Sequence, residues 1–229
     1  MAAATTLRAR AYENFRRQIL DANIRPGQFV SQRELVTLLD MPLGAVRELI
    51  PRLEAEGLLR TVPQRGLQIA HVDLALINNA FQLRLLLERE AAVRFCATVS
   101  EADLEAIEDA HLRIVRRASK GPVDAALLAD AQTVDWGLHD LMIDALGNAL
   151  ISQTYRVNSL RVRLIRLERA MLSEDALLPA MREHLWFIEA LKRRDAAEVA
   201  ARLTHHIESA HRRVLGLPRP PLPDAEGAP

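Results

Sequence analysis

The spacing of glycine and proline changes abruptly near residue 70, and that change limits what the chain can fold into. Up to Gly66, the breakers Pro26-Gly27, Pro42, Gly44, Gly57, Pro63 and Gly66 leave only short elements between them. From Asp73 onward glycine is sparse, and Leu- and Ala-rich segments run with helical periodicity. A small mixed module followed by a larger all-helical one fits this pattern. Composition removes other classes. A hydrophobic share of 49% and a charged share of 26% are those of an ordinary globular chain. One cysteine excludes an intrachain disulfide framework and a four-thiolate metal site, and Cys96 reads as packing. No apolar run reaches the roughly 18 residues that span a bilayer. The first ten residues lack the apolar stretch of a secretory signal. A cytoplasmic protein without membrane contact is expected.

Within the first module, residues 1–9 are expected to be a flexible N-terminus and residues 10–70 to fold. Ala11, Phe15, Ile19 and Leu20 make a helical stripe over 10–21. Ser31 followed by Glu34 has capping-box spacing and opens a second helix, with Leu35, Leu38 and Leu39 inward. A third helix over 43–56 gathers Val46, Leu49, Ile50 and Leu53. Pro51 lies inside it. Proline removes a backbone donor and costs about 3 kcal/mol in a helix interior, which predicts a kink or an early end. Residues 58–62 and 67–70 read as two strands turning over Pro63–Gly66.

Three short helices and a hairpin are the order of a winged helix-turn-helix, a shape suited to double-stranded DNA. Arg33, Arg47 and Arg65-Gly66 fall where guanidinium groups can reach phosphates or a guanine edge. The same arginines would also serve as a solvated surface. A formal net charge of zero does not exclude nucleic acid. Ten arginines face seven acids up to Ala70, leaving that module at about +3 and the remainder at about −3.

The stretch from Tyr12 to Ile69 resembles the GntR family of bacterial transcription regulators. The words that carry the resemblance are Ile19-Leu20, Ile24-Arg25-Pro26-Gly27, Ser31-Gln32-Arg33-Glu34-Leu35, Val46-Arg47-Glu48, Leu53–Leu59 and Arg65-Gly66. It implies that Arg33, Arg47 and Gly66 contact DNA. The family usually reads Ser-Arg-Thr-Pro before Val-Arg-Glu, whereas this chain has Pro42-Leu43-Gly44-Ala45. Leu43 stands where an arginine often reads DNA.

Helical periodicity over 73–97, 101–119, 123–146, 149–171, 177–193 and 195–215 predicts a six- to seven-helix bundle over 73–215. A Pro-rich tail, 216–229, is expected to be disordered. Asp135 and His139, spaced i, i+4, share an inward face with Leu138, Met142 and Leu146. His184 lies on the stripe of Leu177, Met181, Ile188 and Leu191. In the last helix His206 joins Val199, Leu203, Ile207, Ala210 and Val214, while His205 points to solvent and His71, His111 and His211 gain no role. An uncompensated buried charge costs several kcal/mol. A shared divalent ion would satisfy Asp135, His139, His184 and His206, and each could equally be a separately satisfied core residue. Three imidazoles and a carboxylate suit Zn²⁺ foremost, then Ni²⁺, Mn²⁺ or Fe²⁺.

Residues 73–215 are similar to the FCD domain of the FadR-type subgroup of GntR regulators. Arg84 with Glu88, Asp135–His139, Gly147-Asn148, Glu183-His184 and His206-Ile207 carry the likeness. It implies Asp135, His139, His184 and His206 as metal ligands, and small organic or sugar acids as effectors. Arg84 is the expected anion anchor, with Asn158 and Arg161 as further lining. The expected protein is a homodimeric repressor-type regulator on a palindromic operator, with effector and DNA linked through domain placement. The rival readings are a metal-dependent hydrolase-like enzyme and a metal sensor without an organic effector.

Overall fold

The computed structural model describes residues 6–168, 174–218 and 220. In chain order the elements are α1 (Leu7–Leu20), β1 (Phe29–Val30), α2 (Gln32–Leu39), α3 (Leu43–Ala55), β2 (Leu59–Val62), β3 (Gly66–Ile69), α4 (Leu74–Thr98), α5 (Glu101–Lys120), α6 (Ala125–Asp144), α7 (Ala149–Glu168), α8 (Glu174–Lys192) and α9 (Ala196–Val214). They form two compact units. One holds the chain up to Ala80 and the second half of α7, from Arg156. The other holds Phe81–Tyr155 with α8 and α9. The sequence places the change of module near residue 70. The compact units instead cut through α4 and α7, because apolar residues of α7 are buried in the first core.

The first unit is the expected winged helix-turn-helix with one strand more. Phe15, Ile19, Leu35, Leu49, Leu53, Leu58 and Ile69 are buried in one cluster that also takes Leu160 and Leu164 of α7. Fully burying a side chain such as Phe15 stabilises by about 1.5–3 kcal/mol. Ser31 closes the capping box as the spacing predicts: its Oγ accepts from Glu34 N at 3.1 Å, and Glu34 Oε2 accepts from Ser31 N at 2.6 Å. Asp40, at φ 48°, ends α2.

Three local expectations change. Helix α1 begins at Leu7, inside the segment expected to be flexible, because Thr6 caps it through its side chain to Ala9 N. Helix α3 does not end at Pro51 but continues to Ala55. Pro51 and Arg47 are both exposed, so water can serve the Arg47 carbonyl that proline leaves without a donor. Buried Val46, Leu49, Ile50 and Leu53 hold the remaining turns. The third strand is β1, which pairs antiparallel with β3 in the sheet order β1-β3-β2, Phe29 opposite Gln68 and Val30 opposite Leu67. Two residues are too few for an alternation signal.

In the second unit the periodicity-derived segments match the helices closely. Ser100, Asp124 and Asp195 cap α5, α6 and α9 through side-chain acceptors. Helix α8 already starts at Glu174, which puts Pro179 inside it. Ile114, Leu127, Ala131, Leu177 and Met181 form an apolar cluster between α5, α6 and α8. The tail expected to be disordered, 216–229, lies outside the described residues apart from 216–218 and 220.

Candidate metal centre and nucleic-acid interface

Helix α6 presents Asp135 and His139 one turn apart, α8 presents His184, and α9 presents His206. All four are buried, and one ligand atom from each lies within 4.8 Å of the others. His184 Nε2 stands 3.1 Å from His206 Nε2 and 3.5 Å from Asp135 Oδ1. The structure therefore brings the four periodicity-selected residues to one point.

Hydrogen bonding behind the rings decides which nitrogens face that point. His206 Nδ1 donates to Glu183 Oε2 at 2.8 Å, and Arg213 holds the other carboxylate oxygen at 3.2 Å. His139 Nδ1 lies 2.7 Å from Glu88 Oε2, close but off the ideal hydrogen-bond direction. His111 Nδ1 donates to the Ile107 carbonyl at 2.7 Å. Its Nε2 is then an acceptor, 3.0 Å from His184 Nδ1. With the protons on all three Nδ1 atoms, the Nε2 atoms of His139, His184 and His206 carry lone pairs, and those of His184 and His206 face each other.

Burial pushes the His184 imidazole well below the usual histidine range, and nearby His206 adds to this. Burial likewise takes His206 down to about 4, against the opposing pull of Glu183. Both are neutral at pH 7. Two bare nitrogens 3.1 Å apart repel unless a cation lies between them, so the donor set fits a divalent metal. Arg84 lies beside His139 and Glu88. It donates through Nη2 to His139 Nε2 at 2.7 Å and through Nε to Glu88 Oε1 at 2.7 Å. Burial alone would raise the Glu88 carboxyl, but Arg84 and His139 overcome it and hold the group at about 2.

Three residues behind the rings carry no functional expectation from the sequence: Glu88, Glu183 and His111. Glu88 and Glu183 lie within the stretches that resemble the FCD domain but gain no role from that likeness. His111 gains none either, yet it is 1% exposed and hydrogen-bonded to His184. The signal was present: Leu104, Ile107, His111 and Ile114 fall at one-face spacing along α5. His205, expected in solvent, is half-buried with its ring edge-on to Trp186 at 5.4 Å. The two other expected effector residues belong to the first unit. Arg161 Nη2 donates to the Glu56 carbonyl at 2.6 Å, and Asn158 Nδ2 donates to the Ala80 carbonyl at 2.9 Å.

On the winged unit Arg33, Arg47, Arg65 and Gly66 are all exposed. Arg47 Nε donates to Gln32 Oε1 at 3.3 Å, which links α3 to the start of α2. The Arg65 guanidinium lies over the Phe29 ring at 4.1 Å. Leu43, at the first turn of α3, is 41% exposed, an apolar side chain where the helix faces water. Gly66 has φ +90°, and a Cβ there would stand 3.1 Å from the Val30 carbonyl oxygen. Backbone geometry alone therefore requires glycine at that position.

The FCD domain family matches residues 79–209, and the bacterial regulatory proteins of the gntR family match residues 7–69. The chain belongs to the GntR family, with an FCD domain. Among GntR relatives, the HTH-type transcriptional repressor RspR of Escherichia coli (strain K12) is 27% identical over 199 residues, 86% of this chain and 84% of its own. The structure of E. coli McbR/YncC has a TM-score of 0.78 at 14% identity, covering 93% of this chain and 99% of that one. A GntR protein of Rhodococcus sp. RHA1 has a TM-score of 0.71 at 20% identity, with the same coverage. These two likenesses show the fold. This GntR protein is thus a transcription regulator, with a DNA-binding winged helix and a helical FCD effector domain. Among the described residues no helix is long and apolar enough to cross a membrane.

Proposed function

We propose that the protein is a cytoplasmic, homodimeric regulator of the FadR type whose helical unit binds a divalent metal and a small carboxylate effector. The observation that carries this reading is the convergence of three imidazole nitrogens and one carboxylate oxygen within 4.8 Å in a buried site. Asp135, His139, His184 and His206 are the ligands. Zn²⁺ suits this donor set best, followed by Ni²⁺, Mn²⁺ or Fe²⁺. Such an ion supplies a Lewis-acidic position for an acid's carboxylate.

Arg84 is the second anchor. Once His139 Nε2 is committed to a cation, the Arg84 Nη2 that it accepts from here is released toward an anion. Asn158 and Arg161 are weaker candidates, since both already donate to backbone carbonyls. On the winged unit Arg33, Arg47 and Arg65 contact phosphates or base edges of a palindromic operator, and Gly66 lets the wing backbone approach it. Effector binding then shifts DNA affinity by its differential affinity for the two placements of the winged units, acting as repression or its relief.

Metal analysis of the purified protein is expected to return one divalent ion per chain, and none in Asp135→Ala. Thermal melting is then followed with Zn²⁺ alone and with Zn²⁺ plus a panel of small organic and sugar acids. A further rise with one acid, and a changed mobility-shift midpoint on upstream DNA, support the reading. Stabilisation by Zn²⁺ with no response to any acid favours a metal sensor. A wild-type protein without bound metal overturns the assignment.

A further inference from the structure

We infer that His111 is a positioning residue that fixes the tautomer of His184, so that Nε2 of His184 faces the metal position. This rests on the metal reading above. The three histidines of the cluster are backed in two different ways. His139 and His206 have carboxylates at Nδ1, Glu88 and Glu183. A carboxylate accepts a proton bond whatever else surrounds it, so these two tautomers are set by charge.

Among the described residues no carboxylate stands at Nδ1 of His184. Its Nδ1 meets another imidazole, His111 Nε2, at 3.0 Å, with the rings tilted 57°. An imidazole nitrogen can donate or accept, so that contact alone leaves the direction of the bond open. The α5 backbone closes the question. The Ile107 carbonyl can only accept, and it lies 2.7 Å from His111 Nδ1. A neutral His111 therefore has its one proton on Nδ1 and a lone pair on Nε2. Nδ1 of His184 must then carry the proton, and Nε2 of His184 is left bare.

The direction of one backbone carbonyl thus reaches the metal position through two rings. His111 is 1% exposed and lines a cavity of about 500 Å³ with Ile107, Val134 and Leu138. A side chain of similar size can replace it with little overpacking. A neutral acceptor leaves His184 a less basic ligand than the two carboxylate-backed histidines, so loss of His111 weakens the site without emptying it.

The test uses the full-length protein labelled with ¹⁵N-histidine. Long-range ¹H–¹⁵N correlation of the metal-free wild type should show His184 protonated at Nδ1 only. In His111→Leu, which removes the acceptor, His184 should become a tautomer mixture. Zn²⁺ affinity, measured by competition with a chromophoric chelator, should fall by about 10- to 100-fold. His111→Gln, whose Oε1 can accept from Nδ1, should recover most of the affinity and the single tautomer. A merely structural role would not move the tautomer. The inference is overturned by a wild type with His184 protonated at Nε2, by a Leu variant with unchanged tautomer and Zn²⁺ affinity, or by a Gln variant as weak as the Leu variant. If His111→Leu does not fold, the wild-type tautomer and the Gln variant decide. If the wild type binds no Zn²⁺, the metal reading fails, and the tautomer alone decides for or against His111.

Discussion

The two units bury opposite kinds of material. The winged unit encloses aliphatic and aromatic side chains and carries Arg33, Arg47 and Arg65 in solvent. The FCD unit encloses Arg84, Glu88, His111, Asp135, His139, Glu183, His184 and His206, each joined to others of the set by hydrogen bonds or ion pairs. A surface that must meet a polyanion needs charge in water and a rigid apolar scaffold beneath it. A site that must hold an ion needs donors already stripped of water and locked in direction. On the metal reading, one unit uses its core for stability alone, whereas the other would place its function in the core.

The sharpest way to break this comparison is to damage the aliphatic core. Phe15→Ala should cost about 3–5 kcal/mol in the winged unit, read by chemical denaturation. Metal content of the FCD unit should stay unchanged if the two cores are as different in role as they are in composition. Chelation should do the reverse. With free metal at about 1,000 times its Kd, the ion contributes about 4 kcal/mol, and its removal should lower melting of the FCD unit alone. A chelated protein that melts as before would erase the distinction.

Arg47→Ala should weaken operator binding by about 1–3 kcal/mol in mobility-shift titrations and relax preference at one base position. Metal stoichiometry should not move. The smallest expected effect is Ser31→Ala, which removes half of the capping box and should cost about 1 kcal/mol of stability. DNA binding at temperatures below the transition should be nearly unchanged.

Much of this was legible in the residues because helical periodicity fixes where a side chain points. Asp135 and His139 at i, i+4, and His206 rather than His205, follow from 100° per residue. The Ser31/Glu34 spacing foretold its own cap. Where reading failed, the deciding partner was remote or the signal too short. Strand β1 has two residues and exists because β3, nearly forty positions later, offers it a ladder. Pro51 was expected to disturb α3, but burial of its neighbours and the exposure of Arg47 outweigh one lost bond. His111 looked idle because its partner, His184, lies 73 residues away.

By itself the sequence determined the module order, the helix spans and the inward set of Asp135, His139, His184 and His206, because each depends on periods of a few residues. Tertiary structure alone decided which atoms of that set face each other. It put Glu88, Glu183 and His111 behind the rings, gave Arg161 to the Glu56 carbonyl, and drew part of α7 into the winged core. Those outcomes depend on distances between segments far apart in the chain. Periodicity says only that a side chain points inward, and packing selects what it meets there.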